Sequence, residues 1–91
     1  MRIKKGFKLR KVFRSNVICA TGVENVNFNK MLVVNEVAAM LFEEVNGTEF
    51  DAASMVEFLK ENFEGVDEET FVKDVDTLIA TWKDSGIIEE D

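Results

Sequence analysis

The sequence predicts an α+β fold, three N-terminal β-strands followed by three α-helices, and three observations carry that expectation. The β-prone runs are confined to the first third of the chain, and helical periodicities fill the rest. A glycine stop follows each helical run, at Asn46-Gly47, Gly65 and Gly86. The 91 residues contain no proline and are 46% hydrophobic, so no linker or disordered composition divides them, and residues 1–91 are expected to form a single domain.

Each element follows in order. Phe7-Lys8-Leu9-Arg10-Lys11-Val12-Phe13 alternates apolar and basic residues, with a shift of phase at Lys11 that predicts a bulge or the end of the strand. Val17-Ile18-Cys19-Ala20 is a short β-prone run closed by Thr21-Gly22. The third strand runs from Phe28 to Val34, and its apolar end does not alternate, which predicts cover on both faces. Asn35 can cap the first helix, since its side chain accepts from N–H groups that have no partner within the helix. Val37, Ala38, Leu41, Phe42 and Val45 then recur at helical spacing. Asp51 can cap the second helix, with Ala52, Met55, Val56, Leu59 and Phe63 on one face. Asp67 can cap the third, with Glu68 and Glu69 where the helix dipole favours anions, and with Phe71, Val75, Leu78 and Trp82 as its core line. Ile87-Ile88 can return to the core. A three-helix unit beside a small sheet is winged helix-turn-helix-like.

Charge narrows the function. Residues 1–23 hold seven basic residues and no acidic one, whereas residues 24–91 hold four Lys against 18 acidic residues, a net charge of −14. The basic segment is expected to fold against the acidic body or to meet a charged partner. A winged helix raises the reading of a DNA-binding transcription regulator, in which the third helix enters the major groove. Residues 67–84 carry six acidic residues against Lys73 and Lys83, and such a helix is repelled by phosphates. No nucleic-acid partner is therefore expected.

Catalysis lacks its usual parts. The chain has no His and no Tyr, and its one cysteine, Cys19, has no His to activate it. Cys19 is expected to be a small buried hydrophobe. No disulfide, metal site, cofactor site or catalytic residue is expected, nor a membrane partner, since no run approaches the roughly 18 apolar residues of a span. The basic N-terminus lacks the apolar run of a signal peptide, and a cytoplasmic location is the expectation.

Binding remains. A small sheet has edges, and an exposed edge is a template for a further strand from a peptide or from a second copy in a homodimer. The third helix offers a wall: beside its core line lie Val72, Asp76, Ile79 and Lys83, one turn apart, which suit a groove rim. Val72 and Ile79 equally suit a widened core stripe.

Several stretches, taken in order, resemble one family. Phe7-Lys8-Leu9-Arg10 opens the first strand. Leu32-Val33-Val34-Asn35-Glu36-Val37-Ala38-Ala39-Met40-Leu41-Phe42 is similar to a strand-to-helix junction with Asn at the turn. Asn46-Gly47-Thr48 is similar to an Asp-Gly-Thr turn, and Asp74-Val75, Leu78, Trp82, Gly86, Ile87 and Ile88 match a closing helix. These residues resemble the PqqD family, the precursor-peptide recognition elements of ribosomally made and modified peptides. The resemblance implies a non-catalytic protein that binds the leader of a precursor peptide and presents it to a modifying enzyme, often a radical S-adenosylmethionine enzyme. It also implies that the leader adds as a strand beside the third strand and packs on the third helix. Lys30, Met31, Leu32, Val33, Val72, Asp76, Ile79 and Lys83 are then the expected peptide-binding residues.

Overall fold

The computed structural model describes residues 1–20 and 32–89. Its elements are β1 (Arg2–Ile3), β2 (Phe7–Val12), β3 (Ser15–Ala20), β4 (Leu32–Val34), α1 (Glu36–Val45), α2 (Ala52–Asn62), α3 (Glu68–Asp84) and β5 (Ile88–Glu89). The α+β order is as expected. The short pair β1–β5 is additional: two residues each are too few to show a period, and they form a strand only because the two ends of the chain meet. Residues 28–31 of the expected third strand lie outside the described residues.

β2, β3 and β4 form an antiparallel sheet in that order, with β4 at its edge. β2 and β3 pair without interruption from Phe7↔Ala20 to Val12↔Ser15. The phase shift at Lys11 therefore marks the approach of a two-residue turn at Phe13-Arg14 and not a bulge. One face of the sheet, with Phe7, Leu9, Ile18, Leu32 and Val34, turns toward the helices. The other carries Lys8, Arg10, Val12 and Val33. β4 is not covered on both faces as its sequence suggested, because Val33 is 65% exposed.

The helices are set by their caps. Asn35 Oδ1 accepts from the Ala38 N–H at 2.8 Å. Asp51 and Ser54 form a reciprocal capping box, with the Ser54 N–H donating to Asp51 Oδ1 at 2.8 Å and the Asp51 N–H donating to Ser54 Oγ at 3.1 Å. Asp67 sits at the N-cap of α3, but its side chain makes no capping bond, a departure from expectation. Gly47 leaves α1 at φ +88, where a side chain would strain the backbone.

The core gathers Leu41, Phe42, Met55, Leu59, Val75, Trp82 and Ile87 under the inner face of the sheet. Phe42 and Trp82 meet edge to face with ring centroids 5.9 Å apart. Ile3 and Ile88 close the base through β1–β5. The N-terminal ammonium bonds Glu49 at 2.7 Å and Arg2 bonds the same carboxylate at 2.9 Å. The start of the basic segment thus folds onto the acidic body as its charge predicts.

Candidate functional site

β4 is short, and its pairing with β3 runs from Asn16↔Val34 to Ile18↔Leu32. Among the described residues no strand lies on its outer side. The edge therefore offers backbone N–H and C=O groups to an extended segment. The side-chain alternation of any added strand would send every second residue toward the helical layer.

β4 leads without a break into Asn35 and α1, and here a cleft of about 310 Å³ opens between α1 and α3. Val37, Ala38 and Leu41 form one wall, Leu59 of α2 lies between, and Asp74, Thr77, Leu78 and Thr81 form the other wall. The side chain of Asn35, at the mouth, is committed to capping α1. Thr81 Oγ1 donates to the Thr77 carbonyl at 3.0 Å, so its methyl is the part left for packing. Val37, Leu41, Leu59 and Leu78 make this an apolar slot, and Asp74 is the carboxylate on its rim. Such a slot can take an aliphatic or aromatic side chain from a strand paired to β4, and Asp74 can meet a basic neighbour.

The opposite flank of α3 is different. Val72 and Asp76 line a second cleft, of about 340 Å³, with Ala52, Ala53, Val56, Glu57 and Glu68. It adjoins a third, of about 490 Å³, that adds Glu69, Thr70 and Lys73. At 100° per residue, positions 72, 76 and 83 fall on the side of the helix opposite 74, 77, 78 and 81. Lys60 lies here, 3.1 Å from Glu68 and 3.6 Å from Glu57. The hydrogen bond to Glu68, followed by the charge of Glu57, raises its pKa above the usual lysine value.

The expected binding residues therefore divide. Leu32 and Val33 stand on the edge strand. Val72 and Asp76 stand on the α2 flank of α3, away from the cleft at the β4–α1 junction. Ile79 is buried at 8% exposure and belongs to the core, so the widened-stripe reading describes it and the rim reading does not. Lys83 is exposed near the end of α3. Lys30 and Met31 lie outside the described residues. The α3 residues that face the β4–α1 junction are Asp74, Thr77, Leu78 and Thr81, which sequence reasoning did not select. The available signal was Leu78, the edge of the core line, which is half-buried where Phe71, Val75 and Trp82 are buried. Cys19 is half-buried on the outer face of the sheet, opposite Lys8, more accessible than its sequence suggested.

The sequence profile of the family described as Coenzyme PQQ synthesis protein D (PqqD) matches residues 17–88. Among solved structures, one described as TbiB1 in complex with the TbiA(beta) leader peptide matches with a TM-score of 0.77 at 11% identity, covering 100% of this chain and 98% of that one. At that identity the likeness is one of fold. No curated protein matches the sequence.

Proposed function

This chain belongs to the PqqD family, and from that premise we propose that it is a non-catalytic binder of a precursor peptide's leader. The observation that carries the reading is the continuity of the β4 edge, which no described strand covers, with the apolar α1–α3 cleft. The leader adds as a strand along Leu32–Val34, and alternate side chains enter the slot between Val37 and Leu78. Backbone hydrogen bonds supply affinity with little sequence demand, and the slot supplies selection. The same fold occurs in a protein solved with a leader peptide bound, which supports this direction of reading.

The protein then delivers the peptide to a modifying enzyme, of the radical S-adenosylmethionine class by family resemblance. Tethering replaces a second bimolecular encounter by a nearly intramolecular one. The leader is ordered on docking, so affinity per unit area is modest. The DNA-reading alternative draws no support, because α3 presents Glu68, Glu69, Asp74 and Asp76 on its surface.

The test is an NMR titration of the chain with the leader segments of candidate precursor peptides. Shifts along β4, the start of α1, and Thr77, Leu78 and Thr81 are the expected result. Shifts confined to Val72, Asp76 and α2 would move the groove to the other flank, and the absence of any shift would end the reading.

A further inference from the structure

The β2–β3 turn places a phenylalanine where the backbone disfavours it and where burial gives nothing back. Phe13 is the first of the two loop residues and the only described non-glycine residue with positive φ, at +56°. Two-residue hairpins with positive φ at that position favour Gly, Asn or Asp there, because the Cβ of a bulky residue is strained. Phe13 is also 98% exposed. A ring held in a strained conformation and in full contact with water is free to meet a partner outside its own chain. Arg10, Lys11 and Arg14 lie close to it in the sequence, all exposed, and none forms an ion pair with another described residue.

The complementary shape lies elsewhere on the same chain. The cleft between α2 and α3 has an apolar floor of Ala52, Val56 and Val72, and Val72 is 44% exposed. Its rim carries Glu57, Glu68 and Asp76, only the first two of which share Lys60. Its volume of about 340 Å³ accommodates a phenyl ring with room for the aliphatic stems of flanking arginines.

We propose that the occupant is a second copy of this chain: Phe13 of one copy enters the α2–α3 cleft of the other, and Arg10 and Arg14 face Asp76 and its acidic neighbours. Docking made reciprocally forms a closed two-fold pair with two identical joints. The cleft at the β4–α1 junction lies on the other flank of α3, so pairing leaves it open. The inference does not depend on the peptide reading, because it uses neither β4 nor Leu78.

Sedimentation of the full chain tests it. Wild-type protein is expected to pass from monomer to dimer over about 10 µM to 1 mM at low salt, as a small interface requires, and to dissociate as salt is raised. Phe13→Gly relieves the turn, so its melting temperature is expected to equal or exceed wild type while association weakens about tenfold or more. Val72→Asp is expected to weaken it similarly. A mixture of the two variants retains one intact joint and is expected to associate better than either alone. Wild type that remains monomeric at ~1 mM overturns the proposal. So do variants that dimerise as tightly as wild type, which would point to the β4 edge. A mixture that recovers nothing, or a monomer whose Phe13 instead inserts into phosphatidylglycerol vesicles, also overturns it.

Discussion

The α1 flank and the α2 flank of α3 are built on the same helix yet suit different partners. On the α1 side the wall is Thr77, Leu78 and Thr81, and the cleft begins at the end of β4, whose outer edge has no partner strand among the described residues. On the α2 side the floor is also apolar, but the rim is carboxylate and the described lining comes from α2 and α3 alone. A slot continuous with a strand edge can read an extended chain, because backbone pairing and side-chain insertion act together. A slot ringed by charge and lined by two helices can take a single projecting side chain with basic neighbours. What separates the two is their surroundings, since their volumes are close.

The strongest way to break the comparison is to remove the spine that the flanks share. Trp82 is fully buried between them, edge to face with Phe42, and its Nε1 has no acceptor among the described residues. Its contribution therefore comes through apolar area. Trp82→Ala is expected to cost about 3–5 kcal/mol, a large part of the stability of so small a domain, and to abolish both clefts together. Urea unfolding followed by circular dichroism measures it; a loss under about 1 kcal/mol would mean that the flanks are held independently.

Separating the flanks is the next test. Leu78→Asp places a charge in the α1-side slot, and Val72→Asp places one in the α2-side floor. Leader-peptide affinity is expected to fall at least about tenfold, or 1.4 kcal/mol, in the first and to stay within about twofold in the second. Calorimetric titration decides between them. The reverse pattern would transfer the peptide to the residues selected from sequence.

How the sequence was readable follows from these same residues. Asn35, Asp51 and the glycine stops act locally, so the helices could be placed to within a residue or two. The turn at Phe13-Arg14 was not legible, because its chemistry breaks the rule that favours Gly there. Nor was the choice of flank: a periodicity places Val72 and Asp76 on one line, but the side of α3 that faces β4 is decided by how α1 and α2 pack around it, which is non-local. Ile79 shows the same limit, since a residue beside a core stripe is core or rim according to its neighbour's size.

A smaller effect tests whether helix starts secure the two flanks equally. Asn35 makes a capping bond at the mouth of the α1-side cleft, whereas Asp67, at the start of α3, makes none. Asn35→Ala is expected to cost about 1 kcal/mol and Asp67→Ala no more than a few tenths. Equal losses in chemical denaturation would show that Asp67 acts through the helix dipole as strongly as Asn35 acts through its hydrogen bond.

The smallest expected effect belongs to Lys60, which joins Glu57 and Glu68 across the α2-side cleft. Its pKa is raised, chiefly by the hydrogen bond to Glu68 and then by the charge of Glu57. A raised folded-state value means that the ion pair's stabilisation is complete below the unfolded value of 10.5 and is lost as pH climbs through the folded one. Lys60→Met is therefore expected to lower the melting temperature slightly at neutral pH, to lose that difference in strongly alkaline solution, and to lose most of it in high salt, because the pair is exposed. The same substitution removes the cation that Glu57 and Glu68 share, so it should strengthen the self-association proposed for that cleft. A variant that melts lower yet dimerises more tightly would separate the role of Lys60 in folding from its role in holding the α2 flank's charge in check.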